Sequence, residues 1–324
     1  MEQVAGPPLD GRVVVLAGGL SHERDVSLRS GRRVAEALRA SGAEVEERDV
    51  DASLLPLLRD EPPACVLPLL HGVTGEDGAL REVLELVGVP YVGSVPTACR
   101  AAFDKPVAKQ VVARAGLHTP RSVALPHETF RELGAAAVME AIVASIGLPL
   151  MVKPTKGGSA LGCTVVRAPG ELPGAMVNAF AYGETALVEQ LIVGGEVAVP
   201  VVDTGGGPRA LPVVSIEPDG GVYDYTARYT AGSTEFVVPA KLSDELAAEC
   251  ARVAMTAHEA LGLRDLSRSD LIIDAEGIVW FLEVNVAPGL TETSTVPLSV
   301  QAAGLDLGRV MSHLVRTAIA RSTR

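Results

Sequence analysis

The chain has no surplus of positive charge: 28 Lys and Arg stand against 40 Asp and Glu, a formal charge of −12 over 324 residues. That disfavours a nucleic acid as main partner, because phosphate backbones are gripped by excess Lys and Arg. It leaves room for a local basic pocket that takes one small phosphate. The four cysteines, Cys65, Cys99, Cys163 and Cys250, form no CxxC pair. They read as scattered buried thiols of a reducing compartment rather than a disulfide framework. No apolar run approaches membrane-spanning length. The opening MEQVAGPPLDG lacks the basic stretch and apolar core of a signal peptide. No internal repeat is present. The expectation is a cytoplasmic protein with neither a nucleic-acid nor a membrane partner.

What is present is apolar sequence, 48% of the chain, enough for two or three packed units. Residues 12–17 and 64–70 read as buried strands, and 26–40 as a helix capped by Ser21 or Asp25. Residues 76–87 read as a second helix, and Tyr91-Val92 as the start of a third strand. Strands alternating with helices predict a parallel sheet with ligands at the strand C-termini. Further on, 105–115 is helical, and strands are expected at 149–154, 163–167, 186–192 and 196–202. A helix over 244–261, a hairpin of 269–273 and 278–285, and a helix over 305–320 complete the pattern. The fold class is therefore mixed α/β and α+β. Its units are an N-terminal parallel-sheet unit (1–94), a small central unit (95–189) and a larger C-terminal unit (190–324).

Several stretches carry chemistry, and each has a plainer reading. In FLEVNVAPGLTETS (281–294) Glu283 and Asn285 share one face of a strand. With Asp270 on the neighbouring strand they make an oxygen-ligand cluster suited to Mg²⁺; alternation alone equally gives a solvated face. Lys153 ends a strand that runs into KGGSALG (156–162). That glycine run can bring backbone N–H groups to phosphate oxygens, or be a flexible turn. The GxxxxGK[ST] order is absent there. Lys105 alone reads as a surface residue, and Glu189 and Glu196 as solvated carboxylates. Gly18-Gly19-Leu20-Ser21-His22-Glu23 follows the first strand and precedes a helix, a place for an anion, but it lacks GxGxxG. Glu23 would suit an ammonium instead. His71 sits at a strand end, as a ligand-site or a structural histidine. Residues 217–235 hold three of the five tyrosines and read as a lid or as an exposed loop.

Eight stretches taken in order resemble the D-alanine–D-alanine ligases of the ATP-grasp superfamily. They are AGGLSHERDVSLRSG (17–31), LHGVTGEDG (70–78), FDK (103–105), VKPTKGGSALG (152–162), VEQLIVGGE (188–196), YDYTARYT (223–230), SRSD (267–270) and EVNVAPGLTETS (283–294). The resemblance implies a three-domain ATP-grasp fold. It implies a ligase that phosphorylates the carboxylate of one D-alanine with ATP and joins it to the amine of a second, for peptidoglycan precursor synthesis. Lys105, Lys153 and Arg228 would hold ATP phosphates, and Glu189, Gln190, Ile192 and Glu196 would frame adenine and ribose. Asp270, Glu283 and Asn285 would ligate two Mg²⁺ ions, or Mn²⁺. Glu23 would hold the first D-alanine's ammonium, with His71 near its carboxylate. Arg268 and the Gly289 N–H would stabilise the oxyanion, and Ser294 would bind the second carboxylate. Ser159 and Tyr229 would tie the glycine loop and lid to Glu23. A homodimer is implied as well.

The chain departs from the family pattern at Arg228, where a lysine is usual, and at Ala160, Val286 and Leu290. These departures leave a second substrate other than D-alanine open: D-serine, D-lactate or a secondary-metabolite amino acid. The tyrosine-bearing lid favours a dipeptide over an ester. A nucleotide-binding regulator with a dead site is the reading of another class. Against it stand Lys105, Lys153, Arg268, Asp270, Glu283 and Asn285, all present.

Overall fold

The computed structural model describes residues 9–218 and 234–322. Three sheets follow one another along the chain. The first is parallel, in the order β2-β1-β3, with β1 Val13–Leu16, β2 Val45–Arg48 and β3 Cys65–Pro68. VVVL and CVLP are buried throughout, as strands covered on both faces must be. The edge strand VEER is half exposed and was not expected; its charges hide it from a search for apolar runs. The expected third strand at Tyr91 is reduced to a single parallel bridge with Val66.

Helix Arg24–Ala40 lies against this sheet and buries Ser27, Ser30, Gly31, Val34 and Leu38, three or four residues apart. Gly31 allows the approach: a Cβ there would come within 2.4 Å of the Ala17 Cβ. The N-cap residue is Glu23, with no side-chain cap bond; Ser21 accepts the Glu23 N–H at 3.2 Å just ahead of the helix, and Asp25 lies in its first turn. The helix expected over 76–87 is divided into Val73–Glu76 and Ala79–Leu86. The break is Gly78, at φ 86°, a left-handed conformation that ends the first turn.

The second sheet is antiparallel, in the order β4-β7-β5-β6, with β4 Ser122–Pro126, β5 Leu150–Pro154, β6 Thr164–Val166 and β7 Thr185–Gln190. Helices His127–Leu133, Ala135–Ile146 and Leu172–Phe180 cover it through Phe130, Ile142, Ile146, Leu172 and Met176. The third sheet runs β11-β10-β8-β12-β13, with β9 on the side of β8. Its strands are β8 Gly194–Asp203, β9 Pro208–Ala210, β10 Val214–Pro218, β11 Thr234–Val237, β12 Leu266–Asp274 and β13 Val279–Asn285.

Helix Asp244–Ala260 packs on the third sheet. Ser243 caps it by accepting the Leu246 N–H at 3.3 Å, and Asp244 and Glu245 in its first turn complement its dipole. Helices Pro96–Phe103 and Lys105–Arg114 join the same core. The last helix, Leu307–Ser322, returns to the first unit and packs beside Arg24–Ala40. A buried clasp fixes that return. Asp265, 1% exposed, takes two bonds from Arg321 at 2.5 and 2.7 Å and one from the Gly93 N–H at 2.7 Å.

Candidate active site

Two adjoining cavities open where the three sheets meet. The larger, ≈ 620 Å³, lies between the second and third sheets. The smaller, ≈ 160 Å³, lies between the first unit and the end of β13. Gly158 and Glu283 belong to the walls of both.

The larger cavity is floored by buried charge. β5 delivers Lys153 and β7 delivers Glu189, 2% exposed, with Lys153 Nζ 2.5 Å from Glu189 Oε1. Lys109 reaches the other oxygen, Oε2, from helix Lys105–Arg114. Burial alone would raise the Glu189 carboxyl, but the two ammonium groups, Lys153 first, bring it below the usual range. Burial alone would lower Lys153, and the Glu189 charge outweighs it and raises that lysine. Burial dominates at Lys109, whose pKa is lowered although it shares the same carboxylate. Glu189 is shared by both ammonium groups, while the Glu283 charge supports Lys153 and not Lys109. Gln190, Ile192 and Glu196 continue this wall.

The glycine run arches over the cavity. Lys105 Nζ donates to the Gly157 carbonyl at 2.8 Å and lies 3.1 Å from Glu283 Oε2, joining loop and third sheet. The residues at the loop's tip, Ser159 and Ala160, have φ of 58° and 55°, left-handed values that L residues with side chains seldom adopt. Cys163, at the loop's exit, is half-buried rather than buried like the other three cysteines.

The hairpin brings the expected metal ligands together. Asp270 stands opposite Glu283 and Arg268 opposite Asn285 across β12 and β13. Asn285 Nδ2 donates to Asp270 Oδ2 at 3.3 Å. Arg268 holds both Asp270 oxygens at 2.7 Å, a bidentate fork that aims the guanidinium. Two carboxylates and one amide are oxygen donors only, the set a hard cation such as Mg²⁺ takes, and Lys105 already marks Glu283 as cation-facing. The residues present fit the metal.

The smaller cavity is built across the units. Ser159 Oγ donates to Glu23 Oε1, so the glycine loop is tied to the first unit. His71 is buried; its Nδ1 donates to the Ala287 carbonyl at 2.8 Å, and Nε2 lies 3.2 Å from Ser30 Oγ. Ser30 Oγ in turn accepts the Leu290 N–H at 3.1 Å. Both ring nitrogens are thus engaged, and burial pushes the imidazole below its usual range. Pro288, Gly289, Thr291 and Ser294 close the other side. Gly289 admits Ser294 closely, since a Cβ there would meet the Ser294 Oγ at 2.8 Å. Ser294 Oγ accepts the Thr291 N–H at 3.1 Å and bonds Thr291 Oγ1 at 2.8 Å, at the start of helix Thr295–Ala302.

Of the residues singled out from the sequence, Glu23, His71, Ser159, Arg268, Asn285, Gly289 and Ser294 meet around the smaller cavity. Lys105, Lys153, Glu189, Gln190, Ile192, Glu196 and Asp270 meet around the larger, and Glu283 serves both. Arg228 and Tyr229 lie outside the described residues. Two residues escaped the sequence reading. Glu76, quoted within LHGVTGEDG but given no role, lines the smaller cavity and accepts the Gly72 N–H at 3.0 Å. Burial first, then the Glu23 charge, pushes its carboxyl up to about 8. Lys109 carries no motif, and nothing in the sequence separates it from a surface lysine.

Comparison with known proteins adds an independent line. The family model described as D-ala D-ala ligase C-terminus matches residues 111–316. A D-alanine--D-alanine ligase of Desulforudis audaxviator is 39% identical over 310 residues, 95% of this chain and 98% of its own. Among solved structures, the VanG D-Ala:D-Ser ligase of Enterococcus faecalis superposes with a TM-score of 0.83 at 28% identity, over 96% of this chain and 100% of its own. The D-alanine--D-alanine ligase of Bacillus anthracis complexed with ATP gives 0.80 at 25% identity, over 97% of this chain and 99% of its own.

Proposed function

The chain belongs to the D-alanine–D-alanine ligase family, and on that premise we propose that it joins two D-alanines at the expense of ATP, for peptidoglycan precursor synthesis. The observation that carries the reading is the junction of the two cavities at Gly158 and Glu283. A nucleotide in the larger cavity directs its terminal phosphate at an amino acid in the smaller one, where reacting groups are held close and oriented.

In the first step a carboxylate oxygen of the first D-alanine forms a bond to the γ-phosphorus, and ADP leaves. Both partners are anions, so Lys105 and Lys153 lower the repulsion between them. Bound Mg²⁺, one ion or two, or Mn²⁺ in its place, would neutralise phosphate charge from Asp270, Glu283 and Asn285. Glu23 takes the first ammonium, fixed by Ser159. In the second step the unprotonated amine of the second D-alanine attacks the acyl carbon, phosphate leaves with the electrons of the broken C–O bond, and the proton shed by the new amide nitrogen passes to the departing phosphate. Arg268, aimed by Asp270, and the Gly289 N–H face the oxyanion. His71, neutral, sits beside the first carboxylate without adding charge, and Ser294 anchors the second. Gln190, Ile192, Glu189 and Glu196 frame the base and ribose; Arg228 and Tyr229, given phosphate and lid roles by the family resemblance, lie outside the described residues. An acyl phosphate is labile to water, which is why a closing segment belongs to the chemistry.

The same reading divides the chain at about 94 and 189 and makes it a cytoplasmic homodimer. Among the described residues no helix is long and apolar enough to cross a membrane. The similarity to a D-Ala:D-Ser ligase favours one second reading, a different second amino acid; Val286 and Leu290 do not bear on it, since both are buried in the core and neither lines the smaller cavity. Purified chain with ATP, Mg²⁺ and D-alanine is expected to release phosphate and form the dipeptide. Phosphate release with D-alanine only when D-serine is added would select the second reading. Nucleotide binding without turnover on any D-amino acid would make the chain a regulator instead.

A further inference from the structure

Lys109 has no part in the reaction just described, yet it is among the most buried charges in the chain, 3% exposed. It lies one turn along helix Lys105–Arg114 from Lys105 and reaches Glu189 from behind the cavity wall. Lys153 and Glu189 line the cavity; Lys109 does not. Without a ligand the arrangement is overfilled. Glu189 and Lys153 alone would be a balanced buried pair at 2.5 Å, and Lys109 adds a second buried ammonium whose desolvation is offset only by the shared Glu189, because the other nearby carboxylate, Glu283, acts on Lys153. The excess makes sense in another state. A phosphate entering the cavity attracts Lys153, the member of the trio that faces the ligand. Glu189 would then be a buried carboxylate with its partner removed, and would take up a proton or turn away.

We propose that Lys109 is a positioning residue for the nucleotide: it holds Glu189 ionised and in place while Lys153 is given over to phosphate. The inference rests on reading the larger cavity as the ATP site. The charged groups that face Glu189 are Lys109 from the helix and Lys153 from β5. Lys153 is faced in turn by Glu283 of β13 and Cys163 of the glycine loop. Lys109 responds to Glu189 and Lys153. A purely structural Lys109, pinning its helix to β7, would matter equally with and without ligand. The positioning role appears only when nucleotide is present.

The test is calorimetric titration of the full chain and of Lys109→Met and Lys109→Arg with MgATP, in two buffers of different ionisation enthalpy, beside thermal unfolding without nucleotide. Unliganded Lys109→Met keeps a neutral Lys153–Glu189 pair and is expected to unfold close to wild type. Its MgATP affinity is expected to fall about 30-fold, the scale of losing a charged hydrogen-bond partner. Binding to Lys109→Met should also take up a proton that wild type does not, so its affinity declines further as pH rises. Lys109→Arg should recover much of the affinity and abolish the proton uptake. Unchanged affinity in Lys109→Met would overturn the proposal. So would a variant that loses its stability without nucleotide while the folded fraction binds normally. Wild-type protein that binds no MgATP would overturn the nucleotide reading beneath it.

Discussion

Among the described residues Glu283 is the side chain that touches both cavities, and it lies 3.1 Å from Lys105 with the Lys153 charge also nearby. Glu283→Gln keeps the shape and removes the charge. Phosphate release is expected to fall ~100-fold or more, since charge placed on a transferring phosphoryl group is among the largest catalytic terms. Thermal unfolding of the unliganded variant should change little. Full activity would refute Glu283 as a metal ligand. Glu76 makes a prediction in pH. Its carboxyl ionises near 4.5 in the unfolded chain and at about 8 in the folded one. Between those values the folded protein holds one more proton than the unfolded, so this residue's contribution to stability declines as pH rises. Glu76→Gln removes that slope. Relative to wild type the variant should gain on the order of 4 kcal/mol at the alkaline end of the range and little at the acid end. Unfolding measured across the range checks this, and parallel stability curves for the two proteins would reject it. Below its titration, neutral Glu76 also spares the amino-acid cavity a second negative charge beside Glu23.

Among the described residues, two of the three left-handed residues with side chains sit in the glycine loop that joins β5 to β6. Ser159 and Ala160 are both left-handed, at φ 58° and 55°. Ser159 is compensated by its bond to Glu23. Ala160 has no side-chain bond to offset the same strain, because the hydroxyl usual in the family is missing. Ala160→Gly is therefore expected to stabilise the protein by ~1 kcal/mol, the left-handed penalty relieved less the entropy that glycine adds to the unfolded chain. Denaturant unfolding that shows a loss would mean the loop relaxes around Ala160. The conformation was not legible in KGGSALG. Three glycines announce freedom, but the two left-handed residues named here are the ones between them, held by a contact to a segment 136 residues earlier. The hairpin was legible in part: Val279 and Phe281 are buried in alternation, but Val284 is buried three residues on because the pairing slips between Asp270 and Leu271, which alternation does not foretell. The strand VEER and the break at Gly78 were not; one lacks apolar periodicity and the other depends on a single dihedral.

At the scale of the molecule, the site exists only while the first unit and the third sheet stay docked. His71 bonds the Ala287 carbonyl, Ser30 bonds the Leu290 N–H, and Asp265 gathers Arg321 and Gly93. Arg321→Leu would leave Asp265 buried with only a backbone donor. The loss is expected to be about 3 kcal/mol, as for other buried carboxylates deprived of their partner. Because Asp265 holds the Gly93 end of the first unit, the apparent KM for D-alanine should rise as well. Denaturant unfolding and D-alanine saturation curves test the two halves, and unchanged values in both would show that the clasp is dispensable.

By itself the sequence determined the strand and helix periods, the glycine run, and the oxygen-bearing face of β13, because these are local properties of neighbouring residues. It could not say whether Glu283 and Asn285 face open water or the wall of a cavity, or whether Lys105 is a surface lysine. Only the tertiary structure decided that, by setting Asp270 across from Glu283 and burying Lys105 against it. It alone revealed Lys109, whose chemistry is defined by a carboxylate 80 residues away in the chain. A charge acquires its role from what surrounds it, and burial and partners are fixed by packing between distant segments rather than by the residues on either side.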